Sequence, residues 1–185
     1  MKPPIYLLPV LFLYAGCRPP APPLPEYGAV PDFELTDQAG RSFTGRAMAG
    51  KVWVADFMFT SCMGPCPRMS SRLHQVQEST AKLPGVELVS FTIDPRTDTP
   101  AVLKEYAKAH GASDRWFFLT GAQPTLHNLC RNVFKLGDVD GSLTHSTKFI
   151  LIDRNRQIRG YYDSYDPDSL SQLESDVRAV ARERT

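Results

Sequence analysis

From residue 30 onward, short apolar runs alternate with segments in which apolar residues recur every three or four positions. The first kind predicts strands and the second predicts helices. VPDFELTDQAGRSF opens with a short strand, a turn at Gln38, Ala39 and Gly40, and a second short strand over residues 41–44. KVWVADFMFT (51–60) is apolar on both alternating faces and bounded by turn residues, which predicts a strand buried on both sides. The period then changes. Met69, Leu73 and Val76 fall at helical spacing, and Pro65 and Pro67 suit a helix start, with residues 62–66 as its first turn. VELVSFTID (86–94) predicts a second buried strand, and TPAVLKEYAKAHG a helix closed by Gly111. WFFLTG (116–121) reads as a strand and PTLHNLCRNVFKLG as a helix. TKFILIDRNRQIRGYYD (147–163) reads as a hairpin turning near residues 153–155, and DPDSLSQLESDVRAVARERT as a closing helix.

Alternating strands and helices predict a layered α/β domain. The final hairpin makes its central sheet mixed rather than parallel throughout, and the opening pair adds an N-terminal β-hairpin.

Before residue 30 the pattern is different. Residues 5–15 are an apolar stretch too short to span a bilayer as a helix, which takes about 20 residues. Following Lys2, they have the form of a secretory signal. Ala15, Gly16 and Cys17 resemble the end of a lipobox, in which Cys17 becomes the lipidated N-terminus; Tyr14 departs from that pattern, and an ordinary signal peptide is the alternative. RPPAPPLPE favours an extended polyproline spacer. The expected organisation is therefore a signal segment over residues 1–17, a proline-rich linker over 18–26 and a folded domain over 27–185. It places the domain outside the cytoplasm, close to a membrane through a lipid anchor.

Composition narrows the functions. A net charge of +1 over 185 residues, without a basic run, gives no electrostatic footprint for nucleic acid. Four cysteines are too few for a disulfide scaffold of this size, so Cys62 and Cys66 in TSCMGPCPR have to be read locally. On one helical turn their Cα atoms would lie about 6 Å apart, within the range of about 4.4–6.8 Å over which a disulfide closes. The same separation suits two thiolates on one soft metal ion, and a helix N-terminus favours thiolate. Geometry permits both chemistries. Three intervening residues depart from the two of a Cys-x-x-Cys redox pair. Among the histidines, His74 falls amid polar residues and reads as solvated, His110 closes a helix and His127 lies inside one. His145 stands in a polar loop just before an apolar strand, where a reactive group or a backbone-bonded loop histidine is equally at home.

The stretches DFMFTSCMGPCPRM, SFTIDPRTDTPAVLKEYAKAHG, WFFLTG and LTHSTKFILIDRNRQIRGYYD, in this order, resemble the Sco/SenC family. The resemblance implies a thioredoxin-like fold, copper binding, and assembly of the copper centre of cytochrome c oxidase. It also implies a copper-accepting oxidase subunit and a thiol reductant protein as partners. Cys62 and Cys66 match the family's copper-binding cysteines, which close to a disulfide when oxidised, and His145 matches its copper-binding histidine. Such a Cys₂His set holds Cu(I) or Cu(II). The reading is a metallochaperone, with a membrane-tethered thiol–disulfide oxidoreductase as the rival. Asp94 and Asp98 match acidic positions of the family. Asp94 is a candidate for orienting the site from behind, whereas Asp98 or Thr99 reads as the cap of the helix that starts at Pro100. Met63 reads as loop and Cys130 as a buried, inert thiol.

Overall fold

The computed structural model describes residues 23–137 and 146–183. Strands β1 (Glu34–Asp37) and β2 (Ser42–Thr44) form the opening hairpin, followed by a 3₁₀ turn over Gly45–Met48 and β3 (Val52–Met58). Then come α1 (Cys66–Ser79), β4 (Val86–Thr92), α2 (Pro100–Ala109), β5 (Trp116–Thr120) and α3 (Gln123–Asn128). A π turn over Leu129–Val133, β6 (Lys148–Ile152), β7 (Ile158–Asp163) and α4 (Pro167–Arg182) complete the chain.

The seven strands form one sheet in the order β2-β1-β5-β4-β3-β6-β7. β3, β4 and β5 run parallel, in the register Val54 to Leu88 and Leu88 to Trp116. The outer pairs are antiparallel, so the sheet is mixed as the hairpin pattern required. β3 lies near the centre and is buried at every position, which is why its sequence shows no polar face. One of its faces, through Val52, Val54 and Met58, packs on Met69, Leu73 and Val76 of α1, Leu103 of α2 and Leu173 and Val177 of α4. The other, through Trp53, Ala55 and Phe57, packs on Leu35, Phe43, Leu129 and Phe134. Each such side chain contributes on the order of 2 kcal/mol through burial, and the two faces fix the sheet between helical layers.

The boundaries differ from the sequence pattern in three places. α1 starts at Cys66, not at Cys62, because residues 59–65 turn out of the sheet before the helix begins. Residues 93–94 and 59–60 belong to turns beyond their strands rather than to β4 and β3. The expected helix over 124–137 is interrupted: after α3 the chain widens into the π turn, where Phe134 N–H reaches back to the Leu129 carbonyl at 2.8 Å. α2 is capped by Thr99, whose hydroxyl accepts from the Val102 N–H at 3.4 Å, with Pro100 in the first helical position.

The chain enters the domain at the β7 edge. Leu24 packs against the core, and the Arg159 guanidinium donates to the carbonyls of Leu24 (3.0 Å) and Pro25 (3.3 Å). Tyr27 N–H donates to the Ile158 carbonyl at 2.9 Å. Arg159 also pairs with Asp153 (2.9 Å) and Glu183 (3.0 Å).

Candidate functional site

The site is built where β3 runs out. After Met58 the chain turns, and the Cys62 N–H donates to the Phe59 carbonyl at 3.2 Å. Met63 and Gly64 are exposed, Met63 completely, before Cys66 opens α1. Cys62 is 8% exposed and Cys66 not at all, so Cys62 is the more accessible of two buried sulfurs. Both are reduced thiols, and the Cys62 side chain is within hydrogen-bonding reach of that of Cys66. Burial pushes the Cys66 thiol far up from its ordinary value. The backbone N–H of Phe59 works the other way, and the neighbouring Cys62 thiol adds to the rise. Although α1 begins at Cys66 itself, desolvation outweighs the helix end, and the expectation that the helix would favour the thiolate is reversed at this sulfur.

Polar groups stand behind the thiols. Asp56 projects from the middle of β3 on the face that carries Val54 and Met58, opposite Ser90 of β4. It is 1% exposed, neither oxygen has a hydrogen bond of ordinary geometry, and burial raises its pKa to about 7, with the Ser90 hydroxyl pulling the other way. Ser90 in turn accepts from the Trp116 indole N–H at 2.9 Å. Tyr106 of α2 shares a hydrogen bond of 2.9 Å with Ser70 of α1, and burial holds its hydroxyl protonated well beyond the usual tyrosine range, with Cys66 and Asp56 adding to the rise. The sequence reading missed Asp56. Its only signal was a single acid in an otherwise apolar run, KVWVADFMFT.

Of the other candidates, His145 and Cys17 lie outside the described residues. Among the described residues no three His, Cys, Asp or Glu side chains converge as a metal cluster. Asp94 knits the turn after β4: its N–H donates to the Thr92 hydroxyl at 2.9 Å and its carbonyl accepts from the N–H groups of Asp98 (2.9 Å) and Thr97 (3.2 Å). Asp98 does not cap α2. It is wholly buried, and its carboxylate bonds Thr60 and Thr92.

His74 is half-buried rather than solvated, its ring lying against Gly111, where a Cβ would come within 3.0 Å of it. That glycine has a φ of +66° and closes the turn after α2, so the close approach and the left-handed backbone both require it. His110 ends α2 with its ring 4.3 Å from that of Tyr106 and its pKa lowered by burial. His127 faces Gln123 at 3.4 Å beside a hollow of 210 Å³. Cys130 is buried in the π turn, its pKa pushed up to about 11 by desolvation, as an inert thiol should be.

A sequence model of the family SCO1/SenC matches residues 23–182. The chain belongs to this family. A SCO1/SenC family lipoprotein from Bacillus anthracis str. Ames superposes with a TM-score of 0.76 at 30% identity, covering 83% of this chain and 95% of that one. BsSco, described as a member of the Sco family of cytochrome c oxidase assembly proteins with a disulfide switch, gives 0.76 at 28% identity, with 87% and 97% covered. Yeast Sco1 with copper bound gives 0.64 at 26%, with 83% and 96% covered. The α/β fold is thus the thioredoxin-like fold of the Sco proteins, and in this SCO1/SenC chain the dithiol occupies the junction of β3 and α1.

Proposed function

We propose that the protein binds copper as cargo and delivers it during assembly of cytochrome c oxidase, with Cys62 and Cys66 as sulfur ligands and His145 as the third ligand. The observation that carries this reading is the pair of thiols in mutual contact at the β3–α1 junction of a SCO1/SenC domain. Related structures support it: yeast Sco1 holds copper, and BsSco is an oxidase assembly protein. The donor set suits the cargo, since thiolates are soft ligands for Cu(I) and imidazole serves Cu(II). Three protein ligands leave the ion open to exchange with an acceptor. Both thiols must give up protons as copper enters, and the buried Cys66 gives up its proton least readily.

The same sulfurs support the rival reading, thiol–disulfide exchange with a partner, in which the more exposed Cys62 attacks and Cys66 resolves. The disulfide switch of BsSco favours keeping it as a second role. A lipid on Cys17 and a stalk shorter than the expected 18–26, since Leu24 and Pro25 are already docked on the domain, would hold it outside the cytoplasm; among the described residues no helix is long and apolar enough to cross a membrane.

The deciding experiment counts copper retained by the reduced protein against a zinc competitor, for wild type, Cys66→Ser and His145→Ala. One copper per chain in wild type, none in Cys66→Ser, and a weakened thiolate-to-Cu(II) absorption band in His145→Ala are expected. Rapid disulfide closure with no copper retained would leave thiol exchange as the function.

A further inference from the structure

Asp98 is a fully buried carboxylate with a task that helix capping does not explain. It belongs to the turn between β4 and α2, yet the cap of α2 is the next residue, Thr99. Its two oxygens instead take the Thr60 N–H at 3.3 and 3.2 Å, the Thr60 hydroxyl, and the Thr92 hydroxyl at 2.5 Å. A buried carboxylate costs several kcal/mol unless its lone pairs are filled, and here they are filled by Thr92 at the end of β4 and by Thr60, which leads into Cys62. Thr60 sits inside the turn closed by the Cys62 N–H on the Phe59 carbonyl, and Phe59 carries the N–H that bonds the Cys66 sulfur. The loop between the cysteines is exposed at Met63 and Gly64. Besides the packing of Cys62 in the core, its N-terminal side is held by this turn, and Asp98 fastens that side to the sheet.

We infer that Asp98 is a positioning residue for the dithiol: by clamping Thr60 to the end of β4 it fixes Cys62 opposite Cys66. The inference rests on the copper-delivery reading only for its metal readout. Its thiol readout stands alone. Two thiols held in place close more readily than two on a loose loop, because the cost of bringing them together has already been met. Oxidised glutathione takes two electrons from the pair as the Cys62 and Cys66 sulfurs bond, and leaves as two reduced glutathione molecules carrying the two thiol protons.

The experiment compares wild type with Asp98→Ala, Asp98→Asn, Thr60→Val, Thr60→Ser and Thr99→Ala. The last removes the neighbouring cap and serves as a purely structural control. For each, the Cys62–Cys66 closure constant is measured in glutathione buffers, copper retention by competition, and the melting temperature in parallel. Asp98→Ala is expected to disfavour closure about tenfold and to weaken copper retention at least about tenfold, as loss of a group that orients ligands does. Thr60→Val should move both in the same direction, and Thr60→Ser should restore them. Thr99→Ala should lower the melting temperature and leave both constants unchanged. If Asp98→Ala fails to fold, Thr60→Val against Thr60→Ser decides. Should Asp98→Ala or Thr60→Val lower the melting temperature while closure stays within twofold of wild type, as in Thr99→Ala, the positioning role is overturned. Absence of copper binding by wild type itself would sink the delivery reading, and the closure constants would still judge Asp98.

Discussion

Asp56 is a buried residue whose titration contributes to the pH response of the domain. In the folded protein it holds its proton up to about pH 7, against an ordinary value of 3.8. Between those two values this group binds more protons in the folded state than in the unfolded chain, so its contribution to stability falls as pH rises and levels off above pH 7, while the lowered pKa of His110 acts with the opposite sign. The loss across that window is on the order of 4 kcal/mol. Asp56→Asn is expected to flatten the profile, as urea melts of metal-free protein at pH 4.5, 6 and 8 would register; an unchanged slope would place the titration elsewhere. At the thiols the sign differs. With Cys66 as a copper ligand, as proposed, copper would displace its proton, and the binding constant should rise about tenfold per pH unit for each proton released below the thiol pKa. Competition titrations at pH 6 and pH 7 test this, and a pH-independent constant would mean that no thiol proton is displaced.

At the scale of elements, the start of α2 and the end of α4 each depend on a named group. Thr99→Ala removes the only side-chain cap of α2 and should cost about 1 kcal/mol. Arg154 closes α4 from the β6–β7 turn, donating to the carbonyls of Val180 (3.0 Å), Ala181 (2.8 Å) and Glu183 (3.1 Å). Arg154→Ala should cost about 1–2 kcal/mol and speed amide exchange in the last turn of α4, while α1 is unaffected.

These elements also mark what could be read from the chain. β3, β4 and α1 were legible because burial on two faces and on one stripe leaves different periods, as in VWVADFM and in Met69, Leu73 and Val76. The Cys62 and Cys66 pair was legible as a unit from its spacing. Its setting was not: nothing local in TSCMGPC shows that the helix waits until Cys66, because that depends on the turn at residues 59–62 and on Asp98, distant from Thr60 in sequence. The role of Asp98 was read as capping for the same reason. A cap signal is local, and a clamp across two strand ends is not. The π turn escaped because Leu126, Leu129 and Val133 keep a helical rhythm that one widened turn does not disturb.

At the scale of the whole molecule, Arg159 joins three parts of the chain: the entering segment at Leu24 and Pro25, the turn at Asp153, and the C-terminal Glu183. The guanidinium is 5% exposed and Asp153 nearly as buried, so removing the cation strands a carboxylate. Arg159→Leu is expected to cost about 3 kcal/mol and to free the entering segment, seen as faster amide exchange at Tyr27 with copper retention intact. Unchanged exchange at Tyr27 would show that the Ile158 contact alone fastens it.

This fastening has a directional consequence. β6 runs against β3, so the β6–β7 turn and Arg159 lie beside the start of β3, where the Arg154 carbonyl meets the Gly50 N–H. The thiols stand past its other end. The six steps between the seven residues of β3, at about 3.3 Å each, put about 20 Å of packed sheet between them. Whatever holds the leading segment grips the molecule by its heel, while the sulfurs ride at the toe. On the proposed attachment through the residues ahead of Leu24, the sulfurs would face away from the anchor, and a copper acceptor would have to come to them from the far side.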